Sequence, residues 1–247
     1  MRKKHKLIAR ILKIKVFMGL LIFFGILVKG YSSHIGLFNN IEVQIKGNQF
    51  VTTSRIQQQL TPYMSQSLLS LNLEDLRNGI SSLDFIETVQ ISRLLPTKLI
   101  IQIVENKPIL LITIENEHYL VAENGTLLLA DRTSISFFPV PIVTLSKEIE
   151  DAGSITEDIT ELFKFLLNEY PLFYENLSEV IIGEEKWTFY NDSKTRIFAT
   201  HENLFTQLNI LQNFERTVYP NRQLDDYSYI DLRLEKQIVV KEKYRKG

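Results

Sequence analysis

The sequence predicts an α+β protein: an N-terminal transmembrane helix, a small β-α-α-β-β domain and a larger mixed α/β domain with a mostly antiparallel sheet. Three observations predict this order: an uncharged apolar run near the N-terminus, alternating and helical patterns between residues 38 and 108, and a series of hairpin and helix patterns after them. The predicted boundaries are 1–10 for a basic tail, 11–31 for the helix, and 38–108 and 109–247 for the two domains.

The N-terminal segment combines positive charge with apolar character. Residues 1–15 hold seven of the 28 basic residues and no acidic one, which leaves 21 basic against 29 acidic residues in the remainder. Thirteen uncharged residues follow, from Val16 to Val28. As a helix they rise about 20 Å, which is shorter than a hydrocarbon core of about 30 Å. A helix over 11–31 is long enough if Lys13, Lys15 and Lys29 extend their ammonium groups to the lipid headgroups.

This segment favours an uncleaved anchor over a cleaved signal peptide, because no Ala-x-Ala site follows it and Gly30-Tyr31-Ser32 is a weak substitute. Basic residues stay on the cytoplasmic side, so we predict a single-pass protein of the cytoplasmic (inner) membrane whose bulk is extracytoplasmic. With no cysteine, that bulk has no disulfide. Its acidic balance argues against nucleic-acid binding.

The small domain begins with a strand on which Ile41, Val43 and Ile45 share one face, and Gly47-Asn48 ends it. Thr53 is the predicted cap of a short helix, which Pro62 ends. The second helix is capped by Asn72 and carries an apolar stripe of Leu73, Leu76, Ile80 and Leu83. Strands at 85–93 and 98–105 complete a three-stranded sheet under two helices.

The larger domain is predicted from alternation, turn signals and two helical stripes. Asn124-Gly125 between two apolar runs is a strong hairpin signal. Residues 137–144 contain Pro139 and Pro141 and are predicted to form an edge or irregular strand. The remaining strands are predicted at 110–115, 118–122, 126–130, 178–182, 187–191, 195–199, 227–234 and 237–243, and the helices at 156–169 and 202–215.

No pattern in the sequence predicts catalysis, a cofactor or a metal site. The four histidines are scattered, and neither a phosphate-binding glycine motif nor Gly-x-Ser-x-Gly nor Ser-x-x-Lys occurs. The pairs Glu184-Glu185 and Asp225-Asp226 are adjacent residues, which point apart on a strand or are solvated in a loop. His118 and His201 are expected at the surface. The aromatic series Trp187, Phe189, Phe198, Phe205 and Phe214 is expected in the core.

The last predicted strand offers an interaction surface instead. Residues 237–241 lie near the end of the chain and are predicted at a sheet edge, where unpaired N–H and C=O groups accept a partner strand. A covered or charge-protected edge is an equal alternative, because it suits the charged side chains of Lys236, Lys241, Glu242 and Lys243.

Several motifs in this order resemble the FtsQ/DivIB family, single-span cell-division proteins with a POTRA domain followed by a β domain. The motifs are Ile45-Lys46-Gly47-Asn48, Val89-Gln90-Ile91-Ser92-Arg93, Pro96-Thr97-Lys98-Leu99, Val104-Glu105-Asn106-Lys107-Pro108, Val121-Ala122-Glu123-Asn124-Gly125, Trp187 at a hairpin, and Tyr229-Ile230-Asp231-Leu232-Arg233.

The resemblance implies a non-catalytic scaffold at the division septum. It would recruit and hold small coiled-coil division proteins of the FtsB and FtsL type for septal cell-wall synthesis, partly by strand addition to the last sheet edge. Its expected partners are these proteins, others through the POTRA-like domain, and the lipid bilayer; no nucleic acid or small-molecule substrate is implied. The implied partner-binding residues are Arg233, Leu234, Lys236, Ile238, Val239, Val240 and Glu242 in the last strands, and Thr88, Ile91 and Arg93 in the POTRA-like domain. Arg233 would pair with a partner carboxylate.

Three positions depart from the family pattern. Glu184-Glu185 stands where some members have a basic pair, Glu242 where they have an aromatic residue, and Leu234 where they have a tyrosine. The acidic side chains of Glu184, Glu185 and Glu242 would repel an acidic partner, so either the partner has changed its charge as well or that part of the interface is not used. Two other functions compete with the scaffold: an exported POTRA-type chaperone or secretion component that binds extended clients, and an envelope hydrolase, which requires a polar pocket with a perturbed acid or base.

Overall fold

A computed structural model describes residues 2–34, 38, 40–114, 116–146, 152–235 and 237–243. The chain divides into two compact units, Met1–Glu105 and Asn106–Gly247. Helix α1 (Arg2–His34) opens the first unit. Among the described residues one helical stretch, Lys13–Tyr31, is long and apolar enough to cross a membrane, and none of it is buried within the protein.

The rest of the first unit has the predicted β-α-α-β-β order. Its elements are β1 (Glu42–Lys46), α2 (Thr53–Leu60), a 3₁₀ turn (Thr61–Tyr63), α3 (Leu73–Ser81), β2 (Ile86–Leu94) and β3 (Lys98–Glu105). The sheet order is β1-β3-β2, with β1 parallel and β2 antiparallel to β3. Leu99, Ile101 and Ile103 are buried on one face of β3, as their alternation predicts.

Helices α2 and α3 both begin at side-chain caps. Asn72 caps α3 as predicted, its side chain accepting a hydrogen bond from the Glu74 N–H (3.1 Å). The predicted cap of α2 is wrong by one residue. Thr52 has the extended backbone of a cap and accepts from the Arg55 N–H (3.3 Å), whereas Thr53 is already helical.

The loop between β1 and α2 is held by one carboxylate. Glu105, the last residue of β3, accepts hydrogen bonds from the backbone N–H groups of Gln49 (3.1 Å), Phe50 (2.8 Å) and Val51 (2.9 Å). Hydrogen bonds to a charged acceptor are stronger than neutral ones. Glu105 therefore fixes the loop onto the end of the central strand.

Replacing Glu105 by alanine is expected to lower the free energy of unfolding of the small domain by about 2 to 3 kcal/mol, because three loop N–H groups lose a charged acceptor. Urea unfolding of the full chain, followed by a probe in this domain, measures the loss. Glu42→Ala is the matched control: among the contacts of the described residues, the Glu42 carboxylate makes one ion pair, an exposed one with Lys98 (3.7 Å), and its removal should cost less than about 0.5 kcal/mol. Equal losses in the two variants would contradict this role of Glu105.

The second unit is built on one nine-stranded sheet. Its elements are β4 (Pro108–Ile114), β5 (Glu117–Ala122), β6 (Leu127–Leu129), α4 (Arg132–Phe137), β7 (Ile142–Leu145), α5 (Ala152–Glu169), α6 (Pro171–Glu175), β8 (Leu177–Ile182), β9 (Lys186–Asn191), β10 (Arg196–Thr200), α7 (Leu204–Val218), a 3₁₀ turn (Leu224–Asp226), β11 (Tyr227–Asp231) and β12 (Val239–Glu242). The sheet order is β12-β11-β10-β9-β8-β7-β4-β5-β6. Three neighbouring pairs are parallel, namely β4/β7, β7/β8 and β10/β11, and the others are antiparallel. The predicted mixed α/β domain with a mostly antiparallel sheet is confirmed.

The prediction of an edge or irregular strand over residues 137–144 is correct only in that residues 142–144 are in a strand; its start and its place in the sheet are wrong. Phe137 is the last residue of helix α4, which begins at a capping box between Asp131 and Ser134. Pro139 and Pro141 lie before β7, so every β7 residue keeps its N–H. Strand β7 pairs with β4 on one side and β8 on the other, and is therefore interior.

One core lies between this sheet and helices α5, α6 and α7. It includes Phe163, Leu208, Phe189 and Trp187, all at most 1% exposed. The aromatic prediction holds for Trp187 and Phe189. Phe205 is 37% exposed, and its ring packs edge-on against Phe165 (5.2 Å).

Candidate partner-binding edge

Strand β12 forms one edge of the nine-stranded sheet. It pairs antiparallel with β11, with Val239 opposite Asp231 and Val240 opposite Ile230. Both valine side chains are 37% exposed. Among the described strands β12 has one neighbour, so its second side carries backbone groups that these strands do not use.

The direction of the N–H groups along β12 follows from its last hydrogen bond. The Lys243 N–H donates to the Asp226 carbonyl (2.8 Å) and therefore points toward β11. Because N–H groups alternate in direction along a strand, those of Lys241 and Val239 also point toward β11. The N–H groups of Val240 and Glu242 then point to the open side.

Arg233 follows β11 and is held by an intramolecular ion pair. Its Nε donates to Asp231 Oδ1 (2.9 Å), and a terminal nitrogen donates to Oδ2 (2.6 Å). The guanidinium carbon also lies 5.4 Å from the centre of the Phe198 ring. Hydrogen bonding to Arg233 lowers the pKa of Asp231, and the same bond raises the pKa of Arg233. A partner carboxylate at Arg233 would compete with Asp231.

This pair predicts a pH dependence of stability. The lowered pKa means that Asp231 stabilises the fold above the pKa of an unfolded aspartate, about 3.9, and that this contribution is lost as the pH falls through the folded value. The difference in unfolding free energy between the wild type and Asp231→Asn should be largest near neutral pH and should vanish in acid. Denaturant unfolding from pH 7 downward measures it. A difference that stays constant would contradict the ion pair.

Glu242 is balanced by a cation of the same chain. Its carboxylate lies 3.1 Å from a terminal nitrogen of Arg222. The acidic substitution in this strand therefore does not leave an uncompensated charge at the edge. The expected repulsion of an acidic partner by Glu242 is reduced, because Arg222 lies beside it.

The other residues predicted in the last strands lie at different depths. Leu234 is 52% exposed, whereas Ile238 is half-buried and packs against the core. Lys236 lies outside the described residues. Glu184 and Glu185 are exposed in the β8–β9 turn.

The residues predicted in the small domain do not share a surface. Thr88 is exposed on β2, an edge strand of its sheet. The expectation that Ile91 contacts a partner is wrong. Its side chain is 9% exposed, because it pairs with Ile101 on the buried face of the sheet, and it is not available to a partner. Arg93 donates from Nε to the Leu68 carbonyl (2.8 Å) and from a terminal nitrogen to the Leu71 carbonyl, so its guanidinium braces the loop before α3.

The partner-binding prediction missed three residues of the edge region, namely Lys186, Tyr229 and Phe198, the last of which was expected in the core. Lys186 on β9 lies 4.4 Å above the Phe198 ring, on which Arg233 also lies, and Tyr229 on β11 is 6.2 Å from the same ring. The pairing of Phe198 with Thr188 and Asp231 puts these side chains on one sheet face. Only the strand register brings them together, and a single sequence does not give that register.

Two models of known protein families match this chain, one in each unit. A family model described as "POTRA domain, FtsQ-type" matches residues 38–106, and one described as "Cell division protein FtsQ/DivIB, C-terminal" matches residues 111–233. Together they span most of the chain.

Curated relatives carry the same names. The cell division protein FtsQ of Rickettsia prowazekii is 25% identical over 192 residues, covering 77% of this chain and 67% of that protein. DivIB of Clostridium botulinum is 25% identical over 184 residues, covering 74% and 70%. FtsQ of Rickettsia bellii is 34% identical over 83 residues; that match covers 34% of this chain and only 31% of the relative.

A solved structure is also similar in part. The major extracytoplasmic domain of the cell division protein DivIB from Geobacillus stearothermophilus, in its trans isomer, is 16% identical with a TM-score of 0.32, covering 48% of this chain and 98% of that one. The assignment of this chain to a family rests on the two family models and the curated relatives. This chain belongs to the FtsQ/DivIB family of cell division proteins.

Proposed function

We propose that this protein is a non-catalytic scaffold of the division machinery, anchored in the cytoplasmic membrane by α1 with its two domains outside the cytoplasm at the septum. Its family membership supports a role in cell division. The apolar stretch Lys13–Tyr31 supports the anchor. The basic residues before that stretch support a cytoplasmic N-terminus.

The main observation that supports this proposal is the open edge of β12. A partner segment in extended conformation adds as a further strand, taking hydrogen bonds from the N–H groups of Val240 and Glu242. The exposed side chains of Val239 and Leu234 and the guanidinium of Arg233 then select the partner. The partners are small single-span coiled-coil proteins of the FtsB and FtsL type, held for septal cell-wall synthesis.

A second contact is proposed for the small domain. Strand β2 lies at one edge of its three-stranded sheet, and Thr88 is exposed on it. Another division protein adds to this edge. Arg93 contributes by holding the neighbouring loop, through the carbonyls of Leu68 and Leu71, rather than by direct contact.

Affinity capture of the full-length protein from membranes of dividing cells tests the proposal. We expect to recover small single-span proteins with coiled-coil heptads, in stoichiometric amount and only from dividing cells. Recovery of many unrelated extended clients, independent of growth phase, would contradict the scaffold and indicate a chaperone or secretion component. A control with the anchor retained and residues 233–243 deleted should lose the small proteins.

A further inference from the structure

A cavity of about 720 Å³ opens in the second unit among its helices. It lies between the last residues of α5, helix α6, the final turns of α7 and the turn before β11. No residue of β12 is among the described residues that line it, so it is a surface separate from the proposed strand-addition edge.

The inner wall of the cavity is aromatic and its rim is apolar and exposed. The rings of Tyr170 and Phe173 stack 5.1 Å apart at an interplanar angle of 19°, and each residue is 3% exposed. At the rim, Leu172 is 65% exposed and Tyr219 is 66% exposed. Large apolar side chains this exposed at the mouth of a cavity indicate a contact surface.

The electrostatic balance of the cavity is negative. The carboxylates of Glu169, Glu215 and Asp225 line it, opposed by the guanidinium of Arg216. Helix α5 ends at Glu169 and α7 ends at Val218, so two helix C-termini also direct their partial negative charge to this region. Such a site favours a cation over an anion.

The carboxylates keep acceptor capacity for a ligand. Glu215 takes one hydrogen bond from the Tyr170 hydroxyl; burial raises the pKa of Tyr170, so this phenol remains a donor. Asp225 takes one bond from the Asn191 amide (2.6 Å). Within the described part of the chain, the Glu169 carboxylate has no hydrogen-bond or ion-pair partner. Since a carboxylate offers about four acceptor positions, all three can bind a further donor.

We propose that this cavity binds a basic peptide segment of a partner protein. An arginine or lysine side chain enters between Glu169, Glu215 and Asp225, and neighbouring apolar residues of the segment lie on Leu172 and Tyr219. The volume fits this ligand class, because it is within the roughly 300 to 1,000 Å³ of ligand sites and exceeds what one side chain fills. The exposed ring of Tyr219 next to carboxylates suits a cation with an aliphatic stem.

A random heptapeptide library, selected against the full-length chain in detergent micelles, tests this proposal. We expect enrichment of peptides that combine arginine or lysine with large apolar residues. The affinity of a selected peptide should fall about tenfold or more in Glu169→Lys, which places a cation at the site, and should rise in Arg216→Gln, which removes one. Glu161→Lys is the matched control, since Glu161 is an exposed residue of the same helix outside the cavity, and it should leave the affinity unchanged.

Three results would overturn the proposal. Enrichment of acidic peptides would reverse the assigned ligand charge. Equal loss of affinity in Glu161→Lys and Glu169→Lys would indicate general attraction to an acidic protein. Self-association of the chain that Leu172→Ser abolishes would assign the cavity to a second copy. Glu169 is exposed, and an unchanged unfolding midpoint in each variant verifies that binding, and not folding, is measured.

Discussion

Replacing Val240 by proline is expected to abolish strand addition to β12 while the second domain stays folded. Proline removes the N–H that points to the open side, and its ring obstructs the incoming strand. The bond between Lys243 and Asp226 and the pairing of Val239 with Asp231 remain. Capture of the small division proteins by the full-length chain should fall by about tenfold or more, because at least one main-chain hydrogen bond and the close approach of the partner strand are lost.

Val239→Pro is the informative contrast. The N–H of Val239 points toward β11, so this substitution should detach β12 from its own sheet and lower the stability of the domain as well as partner capture. Circular dichroism and urea unfolding distinguish the two variants. If Val240→Pro captured partners as the wild type does, the partner would not be using the open side of β12.

Replacing Gly47 by alanine is expected to destabilise the small domain by about 3 kcal/mol or more. Gly47 has φ of +89°, a conformation that strains residues with a Cβ. A Cβ built there lies 2.0 Å from the carbonyl oxygen of Ile103, in the central strand of the sheet. That contact is with backbone, so only a shift of the β1–β3 pairing relieves it. Urea unfolding, followed by a probe in this domain, measures the loss.

Gly79→Ala supplies the control for this experiment. Gly79 lies in α3, and among the described residues no atom beyond its own stretch of helix lies within 4 Å of the position that an alanine Cβ would take. Alanine there should leave stability unchanged or raise it by up to about 1 kcal/mol, since alanine is the better helix former. A Gly47→Ala protein as stable as Gly79→Ala would contradict the close approach of Gly47 to Ile103.

Some features of the fold could be predicted from residue type and local spacing alone. The Asn72 cap, the buried face of β3 and the Asn124-Gly125 hairpin followed from residue type and spacing. The error over residues 137–144 arose because two prolines were assigned to a strand that begins only after them. Helix α6 was missed because five residues starting at Pro171 are too short for a periodic pattern.

The candidate sites depend on contacts between residues that are distant in sequence. The pairing of Arg222 with Glu242 and the position of Lys186 over Phe198 depend on the strand register, which no local pattern encodes. Ile91 was misassigned although its alternation with Val89 matches a buried face. The cavity at Tyr170 depends on the packing of three helices and a turn, so a single sequence gave no signal for it.

Site-specific photocrosslinking in dividing cells tests whether β12 is the edge to which a partner strand adds. A photoreactive residue is placed in turn at Val239, Lys241, Leu127 and Leu129, the last two being exposed positions on β6 at the opposite edge of the same sheet. Strand addition to β12 predicts adducts with small single-span coiled-coil proteins from β12 and none from β6. Equal adducts from both edges, or adducts from β6 alone, would contradict it.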